Sequence, residues 1–86
     1  MPPEKNYIDI LQQCIDTAKT RQEQYGEATN SIKLGCHLLS NMFGIELTPK
    51  EYCLVLVSLK LSRERYQHKE DNIIDAINYL AISLNC

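Results

Sequence analysis

"LTPKEYCLVLVSLKLSRERY", residues 47–66, is the stretch whose reading decides the fold. Thr48, Pro49 and Glu51 write a helix start. The threonine hydroxyl caps the N–H three residues on, Glu51 reaches back to the capping residue, and proline suits the first helical position, where its missing N–H costs nothing. From Cys53 to Leu61 the helix that follows is apolar almost all round. Such a helix is normally surrounded on most sides. Three further helices of an 86-residue chain cannot cover it fully, so the stretch predicts a homo-oligomer.

Upstream of it two more helices are readable. After "MPPEKN", Tyr7, Ile8, Leu11, Cys14, Ile15 and Ala18 recur at three- and four-residue steps. They give one apolar stripe that runs towards Arg21 and Tyr25 and stops at Gly26. "GEATNSIKLG" restarts the chain, with Thr29, Asn30 or Ser31 as candidate cap of a helix carrying Ile32, Cys36, Leu39 and Met42/Phe43 and ending at Gly44. Gly35 inside that helix costs roughly 1 kcal/mol relative to alanine and points to a close helix–helix approach. Downstream, "QHKED" is a polar joint, and Ile73, Ile74, Ile77, Leu80, Ala81 and Leu84 set the expected buried side of a fourth helix. The expectation is one all-α domain over residues 1–86, a compact four-helix bundle assembled as a homo-oligomer, with residues 1–5 a flexible N-terminus.

Composition narrows the function classes. Nine Lys and Arg against eleven Asp and Glu give a net charge of −2, which weighs against duplex nucleic acid as a partner. No signal-peptide pattern and no apolar run of about 20 residues is present, so a cytoplasmic protein without a membrane partner is expected. Cys14, Cys36, Cys53 and Cys86 are widely spaced and read as free thiols. His37 and His68 stand alone and read as surface or capping residues.

Polar residues inside the helical pattern single out a candidate site. Lys60 and Arg63 share a face at the end of the apolar helix. Asp71 and Asp75 share a face of the next one, a short joint away, so helices three and four should be antiparallel neighbours. Two readings stay open at this point. One is a structural salt-bridge network, with Asp75 the partner of Lys60 or Arg63. The other is a phosphate or nucleotide pocket, with Lys60 and Arg63 as anion contacts that Asp75 orients. Arg21 and Tyr25, one turn apart before Gly26, read either as a solvated helix terminus or as contacts for a ligand with a base or ribose phosphate. Asn72 and Tyr79 lie on the side of helix four that holds Asp75.

Taken together, Arg21, Tyr25 and Gly26, then Lys60 and Arg63, then Asp71, Asn72, Asp75 and Tyr79 form an ordered pattern: Arg-x-x-x-Tyr-Gly, Lys-x-x-Arg, Asp-Asn-x-x-Asp-x-x-x-Tyr. It resembles a family of small phage-encoded all-α proteins of uncharacterised function, over about residues 14–84. That family is loosely similar to the MazG-type nucleoside triphosphate pyrophosphohydrolases. The resemblance implies a helical oligomer and a nucleotide-like ligand, in the cytoplasm of an infected bacterial host. MazG-type enzymes hold magnesium with two helix-borne carboxylate pairs. Here no Glu-x-x-Glu occurs, and helix four offers Asp71 and Asp75 at a spacing of four. Basic residues opposite a lone carboxylate pair favour an anionic ligand over a divalent cation.

Three functions are therefore expected in order. The first is a protein that binds and sequesters a nucleotide-derived defence signal without catalysis, through Arg21, Tyr25, Lys60, Arg63, Asn72, Asp75 and Tyr79, with no cofactor. The second is a MazG-like pyrophosphohydrolase using Mg2+ at Asp71 and Asp75, helped by Glu23, Glu27 or Glu51 of neighbouring subunits. The third is an inhibitor that docks on a host defence protein.

Overall fold

A computed structural model describes residues 5–86. It holds four helices, α1 (Tyr7–Tyr25), α2 (Ala28–Phe43), α3 (Pro49–Tyr66) and α4 (Glu70–Ser83), and no strand among the described residues. Of the N-terminus expected over residues 1–5, only Lys5 lies within the described residues; its ammonium reaches Gln13 and Glu70 at 2.9 and 3.0 Å. Among the described residues, no helix is long and apolar enough to cross a membrane.

The caps explain the boundaries. The Asn6 side chain accepts from the Ile8 N–H and starts α1. Gly26, with φ of 81°, ends it in a conformation that glycine adopts without strain. Thr48 and Glu51 form the expected reciprocal pair of bonds, at 3.1 and 2.9 Å, at the head of α3. Helix α2 departs from its expected start. It begins at Ala28, ahead of Thr29, Asn30 and Ser31, and Glu27 in the capping position makes no side-chain cap bond.

Helices α3 and α4 are antiparallel. Glu64 meets Asn72, Lys60 meets Asp75, and the Cys53 thiol lies beside that of Cys86, so partner numbers rise in one helix as they fall in the other. The core is narrow. Cys14, Ile32, Cys36, Cys53, Ile74 and Ala76 are its buried apolar residues. Burial, with the neighbouring Cys86 and Cys36 thiols, pushes the Cys53 thiol up to about 11. All four cysteines are free.

The buried side of α4 only partly follows its isoleucines and leucines. Ile74 is buried as expected, but so are Asn72, Ala76 and Ser83, while Ile73 and Ile77 are half-buried and Leu80, Ala81 and Leu84 are exposed. The helix presents its small and polar edge to α3, where Asn72 donates to Glu64 and the backbones can approach. Leu80 and Leu84 are left outside. The apolar stripe of α1 behaves alike: Ile8, Leu11 and Ile15 are exposed while Cys14 is buried. The chain exposes 6663 Å². A compact monomer of its mass exposes about 5,200 Å².

Candidate functional site

The end of α1, the start of α2, the first half of α3 and the middle and end of α4 enclose a cleft of about 550 Å³, a volume in the range of small-molecule sites. Each helix brings something different. The last turn of α1 gives Arg21, Gln22 and Tyr25, and the glycine turn after it lets α2 leave at once with Ser31 and Ile32 on the cleft wall. Helix α3 gives Tyr52 and Leu56, and α4 gives Asp75, Asn78 and Tyr79.

Asp75 is the electrostatic centre. Its carboxylate accepts from Lys60 at 2.9 Å on one oxygen and from Arg21 at 3.5 Å on the other. The two pairs differ in kind. Lys60 and Asp75 are 17% and 13% exposed and form a tight, largely desolvated pair. Arg21 is 54% exposed and sits at the outer limit of a contact, so it is held loosely. Two full cations meet one carboxylate there. A second carboxylate, that of Glu27, also lines the cleft, so these four charges balance; it accepts from Gln22 and Thr29 at 3.4 Å each.

Three tyrosines, Tyr25, Tyr52 and Tyr79, shape the apolar part. Tyr52 is packed onto Gly35 of α2: a Cβ there would lie 2.6 Å from its hydroxyl oxygen and 2.9 Å from the ring carbon that bears it. The glycine in mid-helix is the close approach its position promised, and it sets where the Tyr52 ring can lie. Asn78 donates to the Cys14 carbonyl at 3.1 Å and ties α4 to α1 beneath the cleft.

Of the residues the sequence singles out, Arg21, Tyr25, Asp75 and Tyr79 therefore converge, and Lys60 joins them through Asp75. Arg63 and Asn72 do not line this cleft. Arg63 is exposed and makes no ion pair among the described residues. Asn72 is buried and donates to Glu64 at 3.3 Å, in a cluster where Glu64 also accepts from the Lys69 N–H and pairs with His68. These bonds, those of His68 and Lys69 foremost, hold the Glu64 carboxyl below the usual carboxylate range. Tyr52 and Asn78 are site residues that sequence reasoning missed. Gly35 was the available signal for Tyr52; a mid-helix asparagine gives none.

Asp71 is exposed in the first turn of α4, and Asp75 is occupied by its two cations. Among the described residues, no three of His, Cys, Asp and Glu come together in a way that could hold a metal ion. The donors that one chain brings together thus do not fit magnesium; Asp71 and Asp75 would need carboxylates from another chain.

A family model described as a domain of unknown function (DUF6378) matches residues 9–86. The chain belongs to that family. The match takes in all of the convergent residues, from Arg21 to Tyr79, and each of the four helices nearly or wholly. No curated protein and no solved structure matches the chain.

Proposed function

We propose that the chain binds a nucleotide-derived small molecule in the cleft around Asp75 and sequesters it without transforming it. In the setting that the sequence resemblance implies, this is a phage protein that removes a signalling nucleotide of bacterial defence inside the infected cell. One observation carries the reading: Asp75 gathers two cations from two other helices at the edge of a cleft that three tyrosines share. A phosphate can take the loosely held Arg21 while the tight Lys60–Asp75 pair stays in place, and charge-assisted bonds of this kind are the strong ones. Tyrosine faces suit a base or ribose. Sequestration asks for affinity and abundance and for no reacting group.

The test is a thermal-shift and calorimetric screen of the purified chain with cyclic dinucleotides, ADP-ribose derivatives and nucleoside triphosphates. Ligand is also recovered from cell-derived protein after denaturation. One class should raise the melting temperature, and Arg21→Ala should weaken its binding by about tenfold or more. If no nucleotide of any class binds or is recovered, the reading fails. Release of pyrophosphate with magnesium would replace it with the pyrophosphohydrolase, and capture of a specific host protein with the inhibitor.

A further inference from the structure

The outward side of α3 has an order that its hydrophobicity alone hides. At about 100° per residue, Glu51, Leu54, Val55, Ser58, Leu61, Ser62 and Arg65 fall on one face, and every one of them is exposed. Leu54 and Leu61 are 48% and 53% exposed, a large apolar area for a helix that turns Cys53 and Lys60 inward. Between Glu51 and Arg65 this face carries no charge. Its ends are opposite in sign, and each is seven residues from Ser58. Glu51 and Arg65 make no ion pair among the described residues. At the centre, the Ser58 hydroxyl donates to the Val55 carbonyl at 2.6 Å, so it can be buried without losing its partner.

From this we propose that a second copy of the chain covers the face, with the two α3 helices crossing antiparallel at Ser58. The pattern then reads the same in both directions, as a two-fold interface requires. Val55 meets the partner's Leu61, Leu54 meets the partner's Ser62, and Glu51 meets the partner's Arg65, each contact made twice. The two serines near the crossing leave room for the leucines beside them. Charge fixes the direction: parallel helices would set Glu51 against Glu51 and Arg65 against Arg65. Area supports a partner of this size. The chain exposes roughly 1,500 Å² more than a compact monomer of its mass, and a standard interface covers about 800 Å² per partner. The proposal is independent of any ligand in the Asp75 cleft, which lies on the other side of α3, where Tyr52 and Leu56 face it.

Sedimentation of the wild-type chain at about 100 µM should give twice the 9.9 kDa monomer. Leu61→Glu should raise the dimer dissociation constant by about tenfold or more while its circular dichroism stays helical. Direction is read by oxidative cross-linking in a Cys86→Ser background. Ser58→Cys lies on the two-fold axis and should link into dimers. Arg65→Cys should not, because antiparallel pairing holds the two positions roughly 20 Å apart. A monomeric wild type, a Leu61→Glu chain that still dimerises as tightly, a helical Ser58→Cys chain that stays unlinked, or equal linking at Arg65→Cys would each overturn the proposal. In the first case the face is left to a different protein.

Discussion

Two carboxylates of the α3–α4 hairpin, Glu64 and Asp75, are surrounded in opposite ways. Every partner of Glu64 is local: His68, the Lys69 N–H and Asn72 all lie within eight residues of it. Lys69 occupies the capping position of α4 without a side-chain cap bond, and Glu64 answers its N–H in place of one. The cluster closes a joint. The partners of Asp75 come from α1 and from the middle of α3, and both are cations. A carboxylate ringed by local donors is satisfied and fixes the chain; one that gathers two full charges beside a cleft holds Arg21 only loosely, within reach of an incoming anion. The difference separates the structural side of one hairpin from the side proposed to bind a ligand.

The largest effect should come from Asp75→Ala. It strands Lys60, which is largely shielded from water, and should cost about 2 kcal/mol in urea unfolding, below the range for a fully buried pair because some solvent still reaches both groups. A loss under about 0.5 kcal/mol would remove the contrast with an exposed ion pair.

Next comes Gly35→Ala. Alanine gains up to about 1 kcal/mol of helix propensity, but its methyl group would overlap the Tyr52 hydroxyl and ring carbon. Overpacking of that kind costs about 1–3 kcal/mol, so a net loss near 1 kcal/mol is expected. Because Tyr52 must move and it lines the cleft, ligand affinity should change while the Glu64 cluster does not. Amide hydrogen exchange at Lys69 and Asn72 checks the second half.

Arg21→Ala should alter stability least of the three, by under about 1 kcal/mol, since an exposed pair at 3.5 Å contributes little. Paired with its expected loss of ligand affinity, it splits binding from folding at one residue. A large stability loss with unchanged affinity would make the Asp75 cluster as structural as that of Glu64.

Helix order, the Gly26 and Gly44 stops and the Thr48–Glu51 box were legible in the sequence because each rests on contacts within a few residues. So was the meeting of Asp75 with a cation of α3, which a short joint nearly enforces, though the sequence left Lys60 and Arg63 both open and Lys60 makes the pair. The buried side of α4 was legible only at Ile74. Periodicity weighs bulk, and Ile73, Ile77, Leu80 and Leu84 outweigh Asn72, Ala76 and Ser83, though the small edge is the one that lets α4 close onto α3. Asn72 was grouped with Asp75 on the same reasoning, yet its amide turns to Glu64, eight residues back. Which neighbour a side chain reaches depends on how the helices cross, and no spacing within one helix encodes that. Tyr52 shows the same limit: it stood at the head of an apolar helix, and only its fit against Gly35 of another helix brings it to the cleft.

The smallest expected effect tests the Glu64 side by pH. The Glu64 carboxyl is held below its ordinary 4.5 in the folded chain, mainly by His68 and the Lys69 N–H. The unfolded chain therefore takes up the proton first as acid is added. The stability that Glu64 contributes is fully present above its unfolded value near 4.5 and is lost as pH falls through the lower folded value. Glu51, also lowered by its Thr48 bonds, adds a slope of the same sign, so the wild-type slope alone does not isolate Glu64. The difference between wild type and Glu64→Gln does. Urea midpoints measured from pH 6 to pH 3 should converge for the two chains at the acid end, with Glu64→Gln the flatter curve. Parallel curves would mean that Glu64 titrates alike folded and unfolded, and the joint it closes would then owe nothing to its charge.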